Sequence, residues 1–279
     1  MTESGFLIAS FKRQALMDLP YYSEPLHQEI VCKDNVHVWC VSLDVDAKRA
    51  NSFMQILAED ERARAQRIRI ENSRRYYVAA RGFLRMIVSA YLKKRPEHLE
   101  FQYNQHGKPA ILSGSDYTGI SFNMSHSHGV ALYGIALDRT LGVDIEKIRE
   151  DMPHVKIAKR FFSAQEYEAL LTLPPEQQTH AFFSCWTRKE AYLKARGEGI
   201  SSSLRSFSVS FLPGEAPALI DHPLGFQEIS RWSVINIDVG PDYKAALVIE
   251  GQAASFSRKG TWPCPARLLP FSARSIFSH

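Results

Sequence analysis

The sequence predicts an α+β chain built from two similar halves, each a small antiparallel sheet packed on helices, the two related by a pseudo-two-fold axis. Three observations predict it. An alternating apolar strand, then helical periodicity, then three strands separated by turns occur in that order between residues 36 and 140. The same order recurs between residues 141 and 250, with little identity between the two stretches. Composition is that of a folded chain, with 45% hydrophobic and 23% charged residues over 279 positions, enough to bury one large core or two small ones. The expected division is an N-terminal extension over 1–35, an N-terminal half over 36–140, a C-terminal half carrying a metal site over 141–250, and a basic tail over 251–279.

Residues 1–35 contain Pro20 and Pro25 and few periodic positions, so no regular element is expected there. Val36 to Leu43 alternates as a strand, with Val36, Val38, Cys40 and Ser42 on one face. A helix is expected from about Ser52, whose hydroxyl is placed as a cap, through Phe53, Ile56 and Leu57 into an arginine-rich stretch. A second helix runs from Arg74 to Leu92, its apolar positions being Val78, Phe83, Leu84, Ile87, Val88 and Tyr91, and Pro96 ends it. Strands follow at Leu99 to Tyr103 and Ile120 to Met124, the first closed by the turn of residues 104–109, and Gly129 to Leu137 completes a hairpin with the second. In the second half, Leu141 to Glu146 is the strand, and Ile157 to Leu173 gives one or two helices with Ser163 placed to cap the second. Ala181 to Arg196 contains no helix breaker and forms a long apolar helix. Three strands, Phe207 to Phe211, Ile229 to Val239 and Tyr243 to Ile249, are joined by turns at Pro213-Gly214 and Gly240-Pro241.

Charge and cysteine content exclude several classes. The net charge of +4 resides in residues 251–279, whose four basic residues have no acidic counterpart; the remainder carries 30 basic and 30 acidic residues and is no general nucleic-acid binder. No apolar run approaches the ~18–20 residues of a membrane span, and the first residues lack the order of a secretory signal. Cys32, Cys40, Cys185 and Cys264 show no Cys-x-x-Cys spacing, so neither a zinc knuckle nor a disulfide framework is indicated, and a cytoplasmic location is expected. Eight arginines between positions 62 and 85 form a local positive surface, part of it an ordinary solvated helix face paired with Glu59, Glu61 and Glu71.

Chemistry concentrates in two stretches. On the strand Gly142-Val143-Asp144-Ile145-Glu146, the two acids share a face with Cα atoms roughly 6.7 Å apart, close enough for both to bend toward one hard cation. In Trp186 to Lys194, WTRKEAYLK, one helix face carries Trp186, Glu190 and Lys194 at i, i+4 and i+8. Either stretch alone is also explained as a solvated strand edge or an ordinary helix ion pair. Lys108 stands in the tight turn Gly107-Lys108-Pro109, and Phe122 to Gly129 crowds Ser125, His126, Ser127 and His128 at a strand end. Zinc on His126 and His128 lacks a third ligand at metal spacing. Together the residues supply a hard-cation site (Asp144, Glu146, Glu190) and phosphate donors (Lys108, Ser125, His126, Lys194 and arginines of 62–85), which suits a diphosphate held through Mg²⁺. No Gly-rich phosphate loop or dinucleotide fingerprint is present, so the residues alone reach a Mg-dependent transferase or hydrolase acting at a phosphoanhydride.

GKP at 107–109, FNMSHS at 122–127, GVDIE at 142–146 and WTRKEAYLKARGEGI at 186–200, in this order and spacing, resemble the signature of the Sfp-type 4′-phosphopantetheinyl transferases over about residues 36–250. The resemblance implies a monomeric pseudo-dimer with coenzyme A and Mg²⁺ between the halves. It implies transfer of phosphopantetheine from coenzyme A to a serine of an apo acyl or peptidyl carrier protein, an acidic partner, with release of 3′,5′-ADP. By matching position, Asp144, Glu146 and Glu190 resemble the metal ligands. Lys194 resembles the lysine on the diphosphate, Ser125 and His126 the pair on the coenzyme A phosphates, and Lys108 the lysine near the nucleotide. Arg64 and Arg81 are candidates for the 3′-phosphate, while Glu61 stands where some members place a further base. Glu190, directly or through a metal-bound water, is the expected base, with Lys194 as the second catalytic group. Two rival readings are a non-catalytic module, either a coenzyme A or nucleotide binder or a degenerate second half acting as an interaction scaffold, and a Mg-dependent nucleotide diphosphate hydrolase.

Overall fold

A computed structural model describes residues 31, 33, 35–105, 107–111, 119–197 and 204–251; the expected extension and tail fall almost wholly outside them. The first run of elements is β1 (Val36–Ser42), α1 (Ala47–Ile56), α2 (Glu59–Arg67), α3 (Glu71–Leu92), β2 (Phe101–Tyr103), β3 (Pro109–Ile111), β4 (Ile120–Ser127) and β5 (Val130–Leu137). The second is β6 (Leu141–Lys147), α4 (His154–Phe161), α5 (Ala164–Thr172), α6 (Pro175–Arg196), β7 (Ser208–Val209), β8 (Leu219–Asp221), α7 (Phe226–Arg231), β9 (Trp232–Asn236) and β10 (Tyr243–Glu250). Two antiparallel sheets result, ordered β1-β5-β4 and β6-β10-β9, with β2-β3 and β7-β8 as separate two-stranded ribbons. In each sheet the first strand of its run pairs with the last, so the two runs share topology as well as order.

The frame repeats down to single ion pairs. Helices α3 and α6 are both 22 residues long. On α3, the fifteenth residue, Arg85, bonds Glu61, whose carboxylate also accepts the Ala58 amide at the start of α2. The fifteenth residue of α6, Lys189, bonds Glu166, whose carboxylate accepts the Ser163 amide at the start of α5. All four charged side chains are buried, and each pair ties a short helix to a long one. Removing one partner of such a pair would strand a buried charge, which is why a matched pair persists in an apolar setting.

Three cores follow from strand alternation. Trp39, Val41, Tyr133 and Ile135 pack with Phe53, Leu84 and Ile87 under α1 and α3. Ala246, Val248, Trp232 and Val234 pack with Phe162, Phe182 and Tyr192 under α4 to α6. The opposite faces of the sheets meet each other through Val38, Leu132, Leu141, Val143, Ile145 and Leu247. Each sheet is therefore covered on both sides, and the two runs are fused rather than tethered. The β4–β5 turn has both central residues at positive φ, His128 at 43° and Gly129 at 83°, which matches the twist of a two-residue hairpin.

Several boundaries differ from expectation. The first helix begins at Ala47, because Asp46 caps it by accepting the Arg49 amide, while the Ser52 hydroxyl turns back to the Lys48 carbonyl. After its long helix each run carries four strands instead of three, β3 and β8 being short partners of β2 and β7. Residues 226–231 at the start of the expected strand 229–239 are helical, and Ser163 closes a capping box with Glu166. Cys40 is disulfide-bonded, for which the cysteine spacing gave no sign. Among the described residues, no helix is long and apolar enough to cross a membrane.

Helix α6 lies so close over β6 that a Cβ on Gly142 would collide with the Ala191 carbonyl oxygen and the Ala195 amide nitrogen, both main-chain atoms that cannot turn aside. Gly142→Ala is expected to cost about 2–3 kcal/mol, lowering the melting temperature by roughly 5–10 °C. An unchanged melt would show slack between helix and strand.

Candidate active site

The site forms where an edge strand of one sheet meets an edge strand of the other. β4 and β6 are not joined by a main-chain ladder. Side chains bridge them instead. Asn123 Oδ1 accepts the Val143 amide at 2.9 Å, and Ser127 Oγ accepts the Lys147 amide at 3.2 Å. Between these, the Ser125 hydroxyl donates to Asp144 Oδ1 at 2.8 Å, and the Ser127 hydroxyl donates to Glu146 Oε2 at 2.8 Å. Alternation explains the set: Asn123, Ser125 and Ser127 share one side of β4, as Asp144 and Glu146 share one side of β6.

Helix α6 adds the third component. Lys194 Nζ donates to Asp144 Oδ1 at 2.6 Å and to Ser125 Oγ at 2.9 Å, closing a triangle across the two sheets. Glu190 lies one turn earlier on the same face and is 6% exposed. Its rotation is fixed by its neighbours. Lys189 is held by Glu166 and the Phe207 carbonyl, and Trp186 stacks on Phe182 with ring centroids 5.7 Å apart. At the helix end, Tyr192 donates to Glu228 at 2.7 Å.

Electrostatically the cluster is short of positive charge. Burial first, then the charges of Asp144 and Glu146, push the Glu190 carboxyl up to about 7. Glu146 is raised by burial and by Asp144, with its Ser127 bond and Lys194 working the other way. Glu190 Oε1 and Asp144 Oδ2 are buried without a hydrogen-bond partner. Buried carboxylate oxygens in that state are costly unless something else meets them. Among the described residues no group of three or more His, Cys, Asp or Glu side chains stands, as arranged here, so that it could hold a metal ion. The Lys194 ammonium instead supplies the counter-charge at Asp144.

Of the residues expected at the site, Asp144, Glu146, Glu190, Lys194 and Ser125 are brought together. His126 sits on the same strand end with its ring exposed; partial desolvation and the Lys194 charge lower its pKa. Arg64 is exposed, its guanidinium over the Tyr77 ring at 5.6 Å. Two assignments need correction. Arg81 is buried, donating to Glu61 at 2.6 Å and to the Tyr103 hydroxyl at 2.6 Å, so it is a core partner and not a surface cation. Lys108 turns its ammonium onto the carbonyls of Lys194 (2.5 Å), Leu141 (3.3 Å) and Ala195 (3.5 Å), so in this structure it faces main chain. Glu61 likewise faces the core. Asn123 and Ser127 were not singled out individually in the sequence, although the period-two spacing of FNMSHS on an edge strand marks them.

With a chelator present, stability should fall as pH rises from about 4.3, the carboxyl value of an unfolded chain, to about 7, since unfolding then releases the proton that folded Glu190 retains. The loss is on the order of 3 kcal/mol, and urea titrations of Glu190→Gln should show a flatter profile across that window. Equal slopes for the two proteins would contradict the raised carboxyl.

Comparison with known proteins identifies the family. Residues 140–248 match the 4′-phosphopantetheinyl transferase superfamily, and residues 46–135 match the N-terminal region of a 4′-phosphopantetheinyl transferase family. The chain is 36% identical over 218 residues to 4′-phosphopantetheinyl transferase HetI of Nostoc sp., covering 78% of this chain and 89% of that protein. It is 30% identical over 196 residues to 4′-phosphopantetheinyl transferase Sfp of Bacillus subtilis, covering 70% and 83%. The chain belongs to the Sfp-type 4′-phosphopantetheinyl transferases.

Proposed function

We propose that this enzyme transfers the 4′-phosphopantetheine moiety of coenzyme A to a serine of an apo acyl or peptidyl carrier protein, releasing 3′,5′-ADP, with Mg²⁺ held by Asp144, Glu146 and Glu190. The observation that supports it best is the pair of buried, unpartnered carboxylate oxygens on Asp144 and Glu190 beside a lysine and a serine hydroxyl. Three hard oxygen donors with no nitrogen or sulfur ligand suit Mg²⁺. When bound, the ion would neutralise the diphosphate charge.

The chain's own residues supply the rest. Lys194, currently on Asp144, has three N–H donors and reaches toward a phosphate oxygen as readily as toward a carboxylate. Ser125 and His126 offer a hydroxyl and a ring N–H to the same anion, and exposed Arg64 offers a fork for the 3′-phosphate. The Glu190 carboxylate would take the proton of the carrier serine as its oxygen bonds to the β-phosphorus. The bond from that phosphorus to the bridging oxygen breaks, and 3′,5′-ADP leaves with the electron pair. On this reading the chain divides into halves over 36–140 and 141–250, acts as a cytoplasmic monomer, and presents exposed Arg62, Arg67 and Arg69 to an acidic carrier.

Incubation of an apo carrier protein with coenzyme A and Mg²⁺ should raise the carrier's mass by roughly 340 Da, the weight of the phosphopantetheine arm. Hydrolysis of coenzyme A without that gain would favour a diphosphate hydrolase. Asp144→Ala and Glu190→Ala should each lower transfer by about 10²-fold or more with unchanged far-ultraviolet circular dichroism; retention of near-normal rates at saturating Mg²⁺ would overturn the assignment.

A further inference from the structure

Lys108, a cation of the sequence signature, faces neither the acids of the site nor open solvent. It is half-buried, and burial pulls its ammonium down to about 8. Its three carbonyl partners belong to the start of β6 and the last turn of α6, 33 to 87 residues away in sequence. The turn that carries it is itself braced: the Lys108 amide donates to Asn104 Oδ1 at 3.0 Å, the Asn104 amide donates to the Lys108 carbonyl at 3.1 Å, and Gly107 closes the loop at φ 77°. Asn104 Nδ2 donates to the Gly197 carbonyl at 3.0 Å, just past the end of α6. A loop of the first half thus caps a helix of the second.

The last carbonyls of a helix have no partner within it, and their negative end favours a cation. Lys108 answers both needs from outside the helix. The Lys194 carbonyl is one of its acceptors, so the clamp acts on the backbone of the residue whose side chain reaches Ser125 and Asp144. We infer that Lys108 is a positioning residue: through the carbonyls of Leu141, Lys194 and Ala195 it locks the C-terminal turn of α6 onto β6 across the two halves, and so sets the reach of Lys194. The catalytic consequence rests on the transferase reading above; the structural one does not.

Hydrogen exchange on the full chain, with Lys108→Met and Asn104→Ala, tests it. Amides of residues 193–197 should exchange about tenfold faster in Lys108→Met and more modestly faster in Asn104→Ala. The affinity for 3′,5′-ADP, measured by calorimetry, should stay within about twofold, while kcat for carrier modification falls about fivefold or more. Unchanged exchange at 193–197 together with an affinity for 3′,5′-ADP weakened about tenfold would overturn the inference, since it describes a direct phosphate contact. If Lys108→Met does not accumulate as folded protein, unchanged exchange in Asn104→Ala overturns it instead. Absence of transfer by the wild-type chain would sink the transferase reading and leave the exchange arm standing.

Discussion

The structure depends on how two sheet edges meet. An unpaired strand edge exposes main-chain donors that must be satisfied or shielded. Here β4 and β6 approach without forming a ladder, and side chains of β4 take the amides of Val143 and Lys147. That substitution leaves a seam lined by short polar groups in an otherwise apolar junction, since the far face of β6 is sealed by Leu141, Val143 and Ile145 against the opposite sheet. Carboxylates placed on the seam face of β6 are thereby buried next to hydroxyls, and a helix close enough to exclude a Cβ at Gly142 shuts the remaining side.

The two halves share this frame and differ in what they put into it. By position in their elements, Asp144 and Glu146 on β6 correspond to Trp39 and Val41 on β1, and Glu190 and Lys194 on α6 to Met86 and Ala90 on α3. The pairs that fix helix rotation, Glu61 with Arg85 and Glu166 with Lys189, occur in both. One half therefore spends the strand–helix interface on an apolar core, with Trp39 and Val41 packed inward. The other leaves it polar and charged. Carboxyls raised by burial first and by mutual repulsion second show that this arrangement is held by the surrounding packing rather than by its own interactions.

Much of this was legible in the sequence because periodicity reports which residues share a face. The period of two put Asp144 with Glu146, and the period of 3.6 put Glu190 with Lys194. Charge alone was less informative. Arg81 and Lys108 read as phosphate ligands, yet one is a core partner of Glu61 and the other caps a helix 86 residues away, and no local pattern reveals a partner at that separation. Helix starts were misplaced for a related reason: Asp46 and Ser52 both suit a cap, and the tertiary fit of α1 against α3 decides between them.

The claim on which the rest stands is that the β4–β6 junction holds one divalent cation among Asp144, Glu146 and Glu190. Anomalous scattering from crystals grown with Mn²⁺ and coenzyme A measures this directly. A single peak at about 2.0–2.3 Å from oxygens of all three acids, with Lys194 moved from Asp144 onto a phosphate, is the expected result. A map with no peak there, and the Lys194–Asp144 pair intact beside bound coenzyme A, would contradict it.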